Sequence, residues 1–174
     1  MIKDHIIVKD NFFNENILKK IQNEVSHLKF INRSISVNKN DNNVYQKTYF
    51  NVELNTEHFA VKEVLKNLKN YIKSNIYSCG NFYFLSTKQK IATPHIDLNN
   101  LNCLIYIKGN YLINSGTGFY DYNKDKNESI LNTHVGFKEN RAIIFDPKIY
   151  HASLQFNENC GTRYAMANFF NYET

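Results

Sequence analysis

His95 and Asp97 stand two residues apart in the stretch TPHIDLNN, directly after Pro94. In extended backbone, residues i and i+2 point to the same side, so this pair would aim an imidazole and a carboxylate at one point. That makes a two-ligand edge for a divalent metal. An H-x-D triplet also arises by accident, and the competing reading is a polar surface turn. The C-terminal stretch FDPKIYHASLQFNENCGTRYAMANFF adds His151 in apolar company and, farther on, Arg163 at the start of a strand-like run. Two histidines and one carboxylate are the set that holds Fe(II) on one face and leaves coordination positions open. Taken alone, His151 also reads as a core histidine satisfied by a carbonyl, and Arg163 as a surface arginine in the turn NENCGTR. Alternation from Arg163 puts Ala165 and Ala167 on its face, small side chains that leave room beside a guanidinium.

The elements that must position these groups follow from periodicity. ENILKKIQNEVSHLKF sets Ile17, Ile21, Val25 and Leu28 at steps of three or four, an amphipathic helix that Asn14 or Asn16 could cap. HFAVKEVLKNLKNYIK repeats the pattern through Val61, Val64, Leu65, Leu68 and Ile72, and VYQKTYFNVEL between the two reads as extended. After Gly80 come short strand-like runs parted by turn residues: NFYFLSTKQ, LNCLIYIKG, TGFYDY, THVGF, RAIIFD, YHASLQF and TRYAMANFF. Such spacing predicts a sandwich or barrel. The expected architecture is α+β and mainly β, with helices over about 1–78 packed on one sheet of an antiparallel barrel over about 79–174. One domain accounts for 1–174, since no repeat, linker or low-complexity segment divides the chain.

Composition narrows the function classes. No run nears the roughly 18 apolar residues that span a bilayer, and the start MIKDHIIVKDNFF carries an acid and a histidine where a secretion signal needs its apolar run. Cys79, Cys103 and Cys160 form no CxxC pair, and the odd count suits reduced thiols in a cytoplasm. The formal charge of +5 comes mostly from dispersed lysines, which does not point to nucleic acid. Arg33, Arg141 and Arg163 are the only arginines, so each invites a role.

The ordered set of HxD, a distal histidine, and an arginine opening the last strand resembles the 2-oxoglutarate- and Fe(II)-dependent oxygenases. The likeness is greatest to the prolyl-hydroxylase-like branch and its small bacterial and phage-type members. It covers most of the chain, through ATPHID, CLIYI, GTGFY, RAIIFDPKIYH and TRYAMANFF. The resemblance implies a double-stranded β-helix, with Fe(II) held by His95, Asp97 and His151, and with 2-oxoglutarate and O2 as cosubstrates. It implies that Arg163 pairs with the distal carboxylate of 2-oxoglutarate. A planar guanidinium fork suits a buried carboxylate better than lysine does. Tyr106, in CLIYIK, falls where related hydroxylases place a tyrosine that shares this carboxylate, and Tyr83 is the second candidate; both also read as packing residues with a wet tip. With Asp97 present, oxygen insertion or desaturation is implied rather than halide transfer, for which family members carry a small residue there.

The expected substrate is a small molecule or a protein side chain. Two readings compete with this enzyme: a cupin-like protein, which would bring three histidines and a glutamate, and a catalytically silent β-sandwich interaction module. His134, in NTHVGF, reads as structural or substrate-side, and His5, His27 and His58 as surface or helix-packing residues. The polar stretches RSISVNKNDNN (33–43) and NKDKNESILN (123–132) read as long loops, at least one of which is expected to border the iron-site opening and order around substrate.

Overall fold

The computed structural model describes residues 5–32, 49–72, 76–87, 93–110, 112–155 and 162–172. The first helix, α1 (Glu15–His27), starts where the Asn14 side chain accepts a 3.0 Å hydrogen bond from the Ile17 amide, satisfying a donor that the first turn leaves orphaned. Asn14 is therefore the cap, and Ile21 and Val25 of the predicted stripe are buried. In α2 (Phe59–Leu68) the cap is His58, whose Nδ1 accepts from the Ala60 amide at 3.2 Å. Its Nε2 meets Glu24 of α1 at 2.8 Å, so one imidazole both starts a helix and ties the two helices together.

The strands are β1 (Ile6–Lys9), β2 (Ile31–Asn32), β3 (Tyr49–Leu54), β4 (Ile76–Thr87), β5 (Leu101–Lys108), β6 (Leu112–Asn123), β7 (Glu128–Phe137), β8 (Ala142–Phe145), β9 (Tyr150–Gln155) and β10 (Arg163–Tyr172). They form a large antiparallel sheet in the order β1-β8-β5-β10-β4-β3-β2 and a smaller one in the order β7-β6-β9. A bridge between His95 and His151, with amide-to-carbonyl bonds of 3.0 and 2.9 Å, adds the HxD segment to the free edge of β9. This is the double-stranded β-helix expected.

Alternation along β5 divides the apolar residues between two cores. Cys103, Ile105 and Ile107 belong to the cluster shared with α1 and α2, whereas Leu104 and Tyr106 join Phe119, Phe137, Ile143 and Phe145 between the sheets. A strand covered on both faces has no polar phase, which is why CLIYI reads as a continuous apolar run. Cys103 is a free, fully buried thiol whose pKa burial pushes up.

Two expectations need correction. The part before residue 79 is not a helical layer alone: β3 bears out the extended reading of VYQKTYFNVEL and pairs with β4, and β1, which was not expected, pairs with β8 in the large sheet. A four-residue strand such as IIVK is too short for its period to declare it; pairing across the fold does. Residues 123–132 are not a long loop either. β6 and β7 pair as far as Asn123 and Glu128 and leave only a tight turn, with Asn127 at φ 52°. Its polar residues line a solvated hairpin, and asparagine tolerates the left-handed turn position. The stretch 33–43 lies outside the described residues. Among the described residues, no helix is long and apolar enough to cross a membrane.

Candidate metal centre

The bridge between the HxD segment and β9 places the His95 and His151 rings 4.7 Å apart, centre to centre. The Asp97 amide donates to Pro147 O at 3.0 Å, which turns its side chain toward the same place. One donor atom from each of His95, Asp97 and His151 falls within 4.8 Å of the others. His151 thus converges with a pair more than fifty positions before it because β9 folds back beside the HxD segment.

Local hydrogen bonds decide what those donors present. Nδ1 of His95 lies 3.0 Å from Thr93 O, and Nδ1 of His151 lies 2.9 Å from Ile149 O. A ring nitrogen facing a carbonyl carries the proton, so in the neutral rings both Nε2 atoms turn lone pairs inward. His151 Nε2 is 3.2 Å from Asp97 Oδ2, and His95 Nε2 is 4.0 Å from Asp97 Oδ1. Lone pairs facing carboxylate oxygens repel unless a cation lies among them. Carbonyl-held imidazoles converging on a carboxylate therefore fit a divalent metal, and the donor set suits Fe(II).

The electrostatics agree. Burial lowers the His95 pKa, and the neighbouring His151 lowers it further, which favours the neutral ring a metal requires. For Asp97, burial alone would raise the carboxyl; positive charge at the His151 ring, the role a bound cation takes over when that ring is neutral, and the Asn102 bond outweigh that and hold it below its ordinary value.

Arg163 is not a surface residue. It is 5% exposed, and its Nη1 donates to Ser115 Oγ at 2.7 Å, to Leu154 O at 2.9 Å and to Gly116 O at 3.4 Å. Its Nη2 donates to Ser153 Oγ at 2.7 Å. Ser153 follows His151 by two positions on the same face of β9, so guanidinium and metal ligands meet that strand about 6–7 Å apart. The close approach of β6 to β7 here needs a glycine, since a Cβ on Gly116 would run into Val135 O. Ala165 pairs with Tyr106 and, like it, packs between the sheets, so a small side chain follows Arg163 on its face.

Tyr106 is buried at 3% exposure, and its hydroxyl lies 2.7 Å from Thr117 Oγ1 and 3.3 Å from Val135 O. Burial pushes the phenol up to about 12, with Thr117 and the Arg163 charge opposing. For Tyr83 only the backbone is described: it sits on β4 opposite Ala167 of β10 and Glu53 of β3. His134, half-buried on β7 opposite Gly118, stays outside the triad; burial and the Arg163 charge lower its pKa. His5 and His27 are exposed. Arg141 bonds Asp10 at 2.6 Å, and Arg33 lies outside the described residues.

Several polar side chains here went unremarked in the sequence: Ser115, Thr117, Ser153 and Asn102. A usable signal existed, because Ser115 and Thr117 share their inward phase with Phe119, and Asn102 shares that of Tyr106. Polar residues in a buried phase need partners.

Comparison with known proteins bears on the fold. No family model matches the sequence, and no curated protein matches it. Solved structures do. A prolyl hydroxylase from Trichoplax adhaerens, solved with a peptide fragment of the hypoxia inducible factor oxygen degradation domain, superposes with a TM-score of 0.66 at 13% identity over 97% of this chain and 84% of that one. The non-heme alpha ketoglutarate dependent epimerase SnoN of nogalamycin biosynthesis gives 0.69 at 8% identity over 97% and 79%. HygX from Streptomyces hygroscopicus, with nickel and 2-oxoglutarate bound, gives 0.61 at 11% identity over 95% and 82%. The fold is that of the 2-oxoglutarate/Fe(II)-dependent oxygenases.

Proposed function

We propose that this chain, as one domain over 1–174, is an Fe(II)- and 2-oxoglutarate-dependent dioxygenase. It hydroxylates an unactivated C–H bond of a protein side chain or small molecule. The observation that carries the reading is joint: two imidazole lone pairs and a carboxylate converge on one point, and a buried guanidinium meets the same face of the same strand about 6–7 Å away. A guanidinium held one alternation along the strand from a metal-ligand candidate suits a cosubstrate chelated at one end and ion-paired at the other. The oxygenase neighbours support the reading, and one of them holds nickel and 2-oxoglutarate.

Each residue then has a task. His95, Asp97 and His151 hold Fe(II) on one side only. Bound iron with 2-oxoglutarate supplies the oxidation: O2 converts 2-oxoglutarate to succinate and CO2 and gives its other oxygen atom to the substrate C–H bond. Arg163 pairs with the distal carboxylate, and Ser115 and Ser153 hold the fork in place. Tyr106 is the described tyrosine whose hydroxyl lies in the Arg163 field, and it is the candidate to share that carboxylate. Phe119 and Phe145 pack their rings 5.1 Å apart beside His151 and keep water from that side.

The substrate side follows from strand order. Along the inward phase of β6, Ser115 meets Arg163, Phe119 pairs with His151, and Asp121 comes next. Beyond Phe119 lies a cavity of 230 Å³ lined by Ile6, Phe119, Asp121, Asn132, Thr133 and Ile149. It is an open groove rather than a closed cavity, beside Phe119, the β6 partner of His151. The β6–β7 hairpin forms one wall, which puts one of the two stretches expected to border the opening beside this proposed substrate side.

A cupin-like centre would need three histidines and a glutamate, and the cluster among the described residues has neither. The test is succinate formation from 2-oxoglutarate by purified protein with Fe(II) and O2. Turnover that requires both supports the reading, and a folded protein that forms none above the iron-free control refutes it.

A further inference from the structure

We infer that Asn102 is a positioning residue for the metal centre: it locks the Asp97 carboxylate in the orientation that faces the two histidines. The inference rests on the iron reading above and concerns a residue outside the ligand set. Asn102 is 4% exposed, on the inward phase of a strand whose other residues are almost all apolar. A buried amide is costly unless its donor and acceptor ends are both satisfied.

Both ends are committed. Asn102 Oδ1 accepts from Asn99 Nδ2 at 2.6 Å, and Asn102 Nδ2 donates to Asp97 Oδ2 at 2.6 Å. The first bond fixes the sense of the second. With its oxygen turned to the Asn99 donor, the Asn102 amide has only its N–H to offer Asp97. Asn99 is itself oriented, since the same Nδ2 donates to Leu101 O. The chain of bonds runs one way, from a loop amide through a strand amide to the carboxylate.

The backbone of Asp97 is pinned separately, through its amide to Pro147 O at 3.0 Å and its carbonyl to Lys148 Nζ at 2.8 Å. What those bonds leave free is rotation of the side chain. The Asn102 bond removes that freedom, anchoring Oδ2 on the His151 side while Oδ1 lies toward His95. The Asn102 side chain does not serve the sheet, whose ladder uses its backbone opposite Phe145 and Phe169. Outer partners of metal-ligating carboxylates typically contribute 10–100-fold in affinity.

The test is anaerobic Fe(II) titration by calorimetry, with Asn102→Leu beside the parent and the metal-free melting temperature of each as control. The expected result is Fe(II) binding weaker by about 10–100-fold in N102L. The visible band of its Fe(II)–2-oxoglutarate complex should also move in energy, which a merely structural defect would not cause. Asn99→Ala, at a half-buried loop site, should weaken Fe(II) in the same direction but less, and it carries the test if N102L does not fold. Parent-like affinity and band position in N102L overturn the inference while the metal centre stands; where N102L does not fold, parent-like Fe(II) affinity in N99A overturns it. A parent chain that binds no Fe(II) removes the centre and this inference together.

Discussion

Replacing Arg163 by leucine separates cosubstrate binding from metal binding. The variant keeps most of the apolar volume of the arginine stem and deletes a guanidinium that makes four hydrogen bonds to Ser115, Ser153, Leu154 and Gly116. In the complex the distal carboxylate of 2-oxoglutarate would lie buried without its cation, a loss of roughly 3–5 kcal/mol. At about 1.4 kcal/mol per tenfold, cosubstrate affinity should fall by roughly two to three and a half powers of ten. Arg163→Lys should recover part of this, since charge remains but the bidentate fork does not. Fe(II) affinity should stay at the parent level in both. The deletion also leaves the fully buried Ser115 hydroxyl short of a partner, at about 1–3 kcal/mol, so measurements belong well below the melting transition. The assay is anaerobic titration of 2-oxoglutarate into the Fe(II)-loaded protein. Unchanged cosubstrate affinity with intact Fe(II) binding would place the carboxylate site elsewhere and refute the reasoning.

Tyr106→Phe should weaken 2-oxoglutarate by about 0.5–1.5 kcal/mol, one net hydrogen bond; because the phenol titrates at about 12, that difference should be constant from pH 6 to 9, and a pH-dependent difference would contradict the assignment. Asp10, bonded by Arg141 and Lys138, has its carboxyl held down from 3.8 to about 2. A depressed folded pKa gives stability that is full above the unfolded value and lost as pH falls through about 2; with the side chain one-third exposed, screening leaves about 1 kcal/mol. Urea unfolding of Asp10→Asn should therefore show a deficit at pH 7 that closes near pH 2, and a deficit that persists there would contradict the pairing. Trypsin should cut the β6–β7 turn at Lys124 and Lys126 more slowly once Fe(II), 2-oxoglutarate and a substrate are bound; cleavage indifferent to all three removes the hairpin from the substrate mouth.

The three candidate ligands were legible because the logic of the site is local at each end. A two-residue spacing puts His95 and Asp97 on one side, and the His151 phase follows from the strand around it. Arg163 was legible through alternation with Ala165 and Ala167. What joins the two ends is pairing between segments remote in sequence, which no local pattern encodes: the bridge from His95 to His151 and the pairing of β1 with β8. The hairpin at 123–132 was misread because β7 is exposed on both faces over its first six residues, and a strand with no buried face lacks the period-two signal of a half-buried one. Asn102 escaped notice for a different reason. One amide among apolar neighbours looks like noise until its partner is known.

The most direct measurement is anaerobic addition of Fe(II) and then 2-oxoglutarate to the parent, followed in the visible range, beside His151→Ala and Asp97→Ala. A weak charge-transfer band is expected in the parent, requiring both additions and absent from the two variants. A folded parent that gives no band and binds no Fe(II), or variants that give the parent's band, would contradict the claim that His95, Asp97 and His151 hold the iron.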